Sequence, residues 1–318
     1  MKKNKILVIG SSGFVGSAVF EFLIHNGYRV EGLGRKANPW RVAPENLDNY
    51  IVTNDDNLVE KLNEVKPEII INFAASGAYS FQDNFKNIIS SNLEFLDKLS
   101  KWALENGASI IHAGTSSEYG NNCSGPMEDS TPQPNSLYAI TKLAGTHLLE
   151  FYSKKGLKSI VLRLYSVYGP KEDPSRLMPA VMRGIIKSDW PEFVDSSISR
   201  DFVYIEDINN LIKKLIDMIT LEKNKDFEIY NVGSGICTTI GDLANLLMSD
   251  FEMPKLNQSK FRKRDWDVEN WYANITKIQR EISWTPEFDL KNGIIEMKHW
   301  YSLNDHVKYL NNDYSEKN

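Results

Sequence analysis

The chain has 318 residues, 42% of them hydrophobic and 25% charged, with a formal net charge of −5. That length fits two domains, or one large α/β domain with a smaller lobe. The acidic balance lacks the positive field that a nucleic-acid or anionic-membrane partner would need, and no run of about 18 apolar residues is present to span a membrane. Cys123 and Cys237 lie far apart and form no CxxC pattern, which points to a reduced, cytoplasmic setting. The five histidines show no metal-ligand spacing. The apolar run Ile6–Ile9 is too short for the core of a signal peptide.

In chain order, Lys5–Ile9 reads as a buried strand, Gly16–Asn26 as a helix, Tyr28–Leu33 as a strand and Tyr50–Thr53 as a short third strand. Leu58–Val65 is helical, Ile69–Phe73 is a fourth strand, Ser90–Asn106 has helical spacing and Ser109–His112 is the next strand. Asn135–Tyr152 is a long helix and Ser159–Leu164 a strand. This alternation predicts an α/β fold, a Rossmann-type doubly wound parallel sheet, whose ligands sit beyond the C-terminal ends of the strands. Residues 1–170 would form the dinucleotide-binding domain, rejoined by about 201–235. There Asp201–Ile205 resembles a strand, Ile208–Ile219 a helix and Ile229–Val232 a last strand. Residues 171–200 and 236–305, with helices at Thr238–Ser249 and Ile275–Ile282, would form a smaller substrate lobe, and 306–318 a polar tail.

Between the first strand and first helix, Gly10-Ser11-Ser12-Gly13-Phe14-Val15-Gly16 spaces its glycines as GxxGxxG. The first permits a tight turn, the second a close approach of backbone to a pyrophosphate, and the third close packing of helix on strand. The helix N-terminus offers N–H groups to the phosphates. Gly10, Ser12, Gly13, Phe14, Val15 and Gly16 are therefore candidate cofactor contacts. A carboxylate at the end of the second strand would accept from the ribose 2′-hydroxyl of NAD, but Glu31 falls mid-strand and the strand end offers Arg35 and Lys36. These cations can pair with a 2′-phosphate, so the expectation is NADP(H), with NAD(H) possible; a plain solvated turn is the alternative.

Tyr138 and Lys142 stand four apart in a predicted helix and so share a face. A nearby ammonium favours the phenolate and brings the phenol towards the working pH for proton transfer to or from a reacting oxygen. The hydroxyl cluster Thr115-Ser116-Ser117 follows the strand ending at His112, where side chains face the ligand crevice.

Together these residues resemble the extended short-chain dehydrogenase/reductase family, the NAD(P)-dependent nucleotide-sugar epimerases, dehydratases and reductases. The resemblance runs from about Lys5 to Trp300. It includes Asn72-Phe73-Ala74-Ala75, Asn92, Arg163-Leu164-Tyr165-Ser166-Val167-Tyr168-Gly169-Pro170, Arg200–Asp207, Tyr230–Gly235, and Arg264–Asp267 leading to Asn274–Lys277. It implies Thr115, Tyr138 and Lys142 as catalytic residues, with Ser116 as the fallback hydroxyl. Ala74, Ala75, Asn92, Tyr165 and the Tyr138/Lys142 pair would line the cofactor. Thr115, Ser116, Ser166, Arg200 and Arg264 would meet a nucleotide-sugar substrate. It also implies a homodimer, for which Ser90–Asn106 and Asn135–Tyr152 could supply the faces.

Two departures stand out. Ser116-Ser117 replace the acidic residue that follows the catalytic Thr in the 4,6-dehydratases, which argues against water elimination. Ser166 stands where the family usually has Asn. The expectation is an NADPH-dependent reductase of a 4-keto(-6-deoxy) nucleotide sugar. The alternatives are a nucleotide-sugar 4-epimerase with tightly bound NAD, and a non-catalytic NADP(H)-sensing regulatory protein.

Overall fold

The computed structural model describes residues 4–54, 56–79, 81–223, 225–256, 261–262, 270–303 and 306–311. β1 (Lys5–Ile9) and β2 (Arg29–Gly34) flank α1 (Phe14–His25), and β3 (Tyr50–Val52) and β4 (Ile69–Asn72) flank α2 (Leu58–Val65). A short α3 (Phe85–Ile89) leads through a π-helical turn, Ser90–Glu94, into α4 (Phe95–Asn106). Then follow β5 (Ser109–Thr115), α5 (Leu137–Ser153) and β6 (Ser159–Leu164). Short strands β7 (Ser166–Tyr168), β8 (Phe193–Val194), β9 (Ser199–Arg200) and β10 (Phe202–Tyr204) bracket α6 (Leu177–Lys187). The remainder comprises α7 (Ile205–Thr220), β11 (Phe227–Val232), β12 (Thr238–Thr239), α8 (Ile240–Asp250), α9 (Thr276–Ile282) and α10 (Leu290–Ser302).

Seven strands form one parallel sheet in the order β11-β6-β5-β4-β1-β2-β3. The chain leaves β1 in one direction through β2 and β3 and returns to β4 on the other side of β1. The crevice at that switch point is where a doubly wound sheet binds ligands. Alternation along each central strand covers both faces. Ile6, Val8, Ile69, Ile71, Ile111 and Ile160 face one core with α1 and α7, while Leu7, Ile9, Ile70, Ile110 and Val161 face the other with α2, α4 and α5. α7 buries Ile208, Leu211, Ile212, Leu215, Ile216 and Ile219, an apolar stripe at helical spacing. Among the described residues, no helix is long and apolar enough to cross a membrane.

The predicted elements stand, with boundary shifts and one division. The expected helix over Ser90–Asn106 opens as the π turn, which points Asn92 inward: its amide donates to Ser76 O and Thr141 Oγ1, and its oxygen accepts the Ser76 N–H, each at 2.9 Å. α6 and α10 lay within regions read as lobe without helices of their own. Pro179 and Gly184 interrupt the pattern of α6, and only packing reveals that Met178, Val181 and Met182 share the core of the sheet's first face.

Candidate active site

The glycine loop is built by steric exclusion. Gly10 has φ +80°, and a Cβ there would lie 2.8 Å from Ala74 N. A Cβ on Gly16 would lie 2.2 Å from Gly10 O, so α1 packs against the loop only without a side chain. No side chain caps the N-terminus of α1, leaving its first turn open to an anion. Gly10, Ser12, Gly13, Phe14, Val15 and Gly16 all line one cleft of about 680 Å³, with Arg35, Lys36, Ala74 and Ala75. Arg35 and Lys36 are exposed just past β2. Glu31 lies within β2, paired to Lys5 at 2.8 Å. Among the described residues the buried hydroxyls of Ser11, Tyr165 and Tyr168 have no protein partner, and both tyrosines line the cleft. The tight glycine cradle, the open helix end and the unsatisfied Tyr165 hydroxyl fit a dinucleotide.

Across the cleft, β5 delivers Thr115 as its last residue and α5 delivers Tyr138 and Lys142. Ser136 caps α5, its Oγ accepting from Ala139 N at 3.2 Å, so Tyr138 falls in the first turn. The Tyr138 phenol lines the same cleft as Thr115, whose side chain favours its ionised form, but burial dominates and pushes its pKa up to about 12. Lys142 is also buried, and loss of hydration brings it down to about 8, against an opposing pull from Glu118. Its Nζ lies 3.1 Å from His112 Nε2, and His112 Nδ1 lies 3.1 Å from Asn72 Nδ2.

Thr115 is held by a group that sequence reasoning passed over. Glu118 Oε1 accepts the Thr115 backbone N–H at 3.0 Å, and Thr115 Oγ1 accepts from Ser117 N at 3.2 Å, closing a capping box. Glu118 Oε2 takes Arg163 Nε at 2.9 Å and Thr146 Oγ1 at 3.0 Å. The Thr-x-x-Glu spacing was the available signal. Trp271 was also missed: it lines the cleft, and its Nε1 donates to Ser116 Oγ at 3.0 Å. The Arg200 guanidinium sits 5.5 Å from the centre of that indole. Glu172 enters the cleft wall as well; burial raises its carboxyl to about 8, and its Oε2 has no partner among the described residues.

The family model described as "NAD dependent epimerase/dehydratase family" matches residues 6–233. The chain belongs to that family. UDP-glucuronate 4-epimerase 5 of Arabidopsis thaliana is 32% identical over 329 aligned positions, covering 93% of this chain and 75% of the relative. The crystal structure of UDP-glucose 4-epimerase with UDP-glucose from Thermotoga maritima superposes with a TM-score of 0.80 at 27% identity, over 94% and 98% of the two chains. UDP-glucuronic acid 4-epimerase from Bacillus cereus, in complex with UDP-glucuronic acid and NAD, matches in fold with a TM-score of 0.79 at 24% identity, over 96% and 100%. The chain is thus an enzyme of the extended short-chain dehydrogenase/reductase type.

Membership corrects one expectation and places the others. The NADPH-dependent ketoreductase reading is overturned: relatives across nearly the whole chain include UDP-glucuronate 4-epimerases, and the solved neighbour from Thermotoga maritima is a UDP-glucose 4-epimerase. That reading leaned on Arg35 and Lys36, two cations that line the cleft just past β2. Asn92 is a brace between the Ala74–Gly77 loop and α5, with its amide saturated by Ser76 and Thr141, and does not line the cleft. Ser116, Ser166 and Arg200 do line it; Ser116 is engaged by Trp271. Arg264 lies outside the described residues. Asp201, next to Arg200 in the chain, spends its carboxylate on the N–H groups of Ser234, Gly235 and Ala273.

Proposed function

We propose that the protein is a UDP-sugar 4-epimerase that retains NAD through turnover. The observation that carries this reading is that Tyr138, Lys142 and Thr115 line one cleft with the glycine cradle, in a chain whose relatives include UDP-glucuronate 4-epimerases. NAD, when bound, supplies a hydride acceptor that returns what it took. Tyr138 Oη removes the proton of the sugar hydroxyl and gives it back after the sugar presents its other face. Thr115 Oγ1 holds the reacting oxygen against the phenol. Gly10, Ser12, Gly13, Phe14, Val15 and Gly16 bind the cofactor pyrophosphate, with Ala74, Ala75 and Tyr165 along its length; Lys142 binds its ribose. Ser166 and Arg200 bind the substrate. Glu118 is the acid nearest Thr115 in the chain, and it is wholly buried on Arg163 and Thr146; this supports epimerisation over dehydration. α4 and α5 pair two copies, supported by the exposed Ile140 and Phe151 on α5.

The test is to denature the purified protein and identify the dinucleotide released, then incubate the native protein with UDP-glucose and with UDP-glucuronate and resolve the C4 epimers. Stoichiometric NAD and interconversion of one epimer pair support the reading. Released NADP, or consumption of reduced cofactor without epimer formation, overturns it.

A further inference from the structure

The buried chain Asn72–His112–Lys142 runs behind the catalytic pair, from β4 through β5 to α5. Its hydrogen accounting has one solution. Ala74 N–H donates to Asn72 Oδ1 at 3.0 Å, which fixes the amide and leaves Nδ2 as the donor facing His112 Nδ1. Nδ1 is then an acceptor. A neutral imidazole carries one proton, and complete burial, the larger cause, keeps the His112 pKa well below its ordinary value. That proton is on Nε2, 3.1 Å from Lys142 Nζ. An N–H facing an ammonium finds no lone pair, whereas an uncharged amine accepts it.

We propose that His112 is a positioning residue that links the charge of Lys142 to its place: Nε2–H donates to the uncharged amine, and the ammonium form leaves His112 for the cleft. Burial already favours the amine, bringing Lys142 down to about 8. Taking up a proton from solvent thus breaks the contact with His112 and frees the ammonium for Tyr138 and the cofactor ribose. The other groups acting on Lys142 and Tyr138 are Glu118, itself paired with Arg163, and on the phenol's side Thr115, Tyr79 and Arg176. Among these, His112 is the group in contact with Nζ.

The first test reads the tautomer of His112 directly, by long-range proton–nitrogen NMR of the cofactor-stripped protein above the lysine's pKa, with the resonance assigned through H112Q. A proton on Nε2 is expected; a proton on Nδ1, or on both nitrogens, overturns the proposal. This measurement is independent of the epimerase reading. The second test rests on that reading and compares pH profiles of turnover. His112→Phe removes the donor that favours the amine, so the alkaline limb should move to higher pH by about half a unit, and His112→Gln, which keeps an N–H donor, should restore it. A shift to lower pH, or none, overturns the proposal. If H112F fails to fold, H112Q and the tautomer measurement still decide.

Discussion

Glu118 grips Thr115 from below: its Oε1 accepts the Thr115 N–H at 3.0 Å, while its Oε2 is bound to Arg163 and Thr146. Glu118→Ala leaves the Arg163 charge buried without its partner, as the Arg163 side chain is 3% exposed. The expected cost is about 3–5 kcal/mol of stability, read by denaturant unfolding. A cost below about 1 kcal/mol would show that the pair contributes no more than a surface ion pair.

Gly16→Ala should strip the cofactor. The new methyl would stand 2.2 Å from Gly10 O, which belongs to backbone and cannot swing aside. The loop must shift, at about 1–3 kcal/mol, and the turn loses its fit to a pyrophosphate. The measurement is dinucleotide content after purification; an undiminished content would refute the close-packing role.

Tyr138→Phe removes the proton carrier and keeps the ring. Turnover should fall by about 10²–10⁴-fold, while bound dinucleotide stays near the parent's level. Loss of both together would mean that Tyr138 holds the cofactor more than it moves a proton.

Lys142 binds its proton less tightly folded, at about 8, than its ordinary 10.5. Between those values the unfolded chain carries more protons, so stability rises with pH across this window. Lys142→Met lacks that rise. The variant should exceed the parent by on the order of 3 kcal/mol below pH 8, and the gap should close as pH approaches 10.5. A gap independent of pH would indicate packing instead of charge.

Glu172 behaves oppositely. Its folded value of about 8 exceeds the ordinary 4.5, so its contribution is present below 4.5 and is lost as pH rises through 8. Glu172→Gln, which resembles the protonated acid, should melt above the parent at alkaline pH and converge with it at acidic pH. Equal melting at both would mean that the carboxylate finds a hydrated place in the cleft.

Local patterns made the fold and the catalytic pair legible. The alternation of apolar runs with helical spacing specified the parallel sheet, the glycine spacing specified the cradle, and the four-residue interval put Tyr138 and Lys142 on one helical face. The two cations after β2 looked like a cofactor signal because sequence shows their charge; they do line the cleft, and it is the relatives that overturn the reductase reading built on them. Asn92 looked like a cofactor contact because sequence shows its type and hides its three bonds to Ser76 and Thr141.

What the chain determined by itself were features set by neighbours within a few residues: strands, helices, the turn, the pair. The tertiary structure alone decided which groups surround that pair. Trp271 reaches Ser116 across 155 positions, and His112 reaches Lys142 across 30 and Asn72 across 40. Those approaches arise from strand order and helix packing, which bring distant residues within 3 Å or so only once the whole core has closed. The same closure excludes water, and the lost hydration moves Lys142, Tyr138 and Glu172 from their ordinary titration ranges.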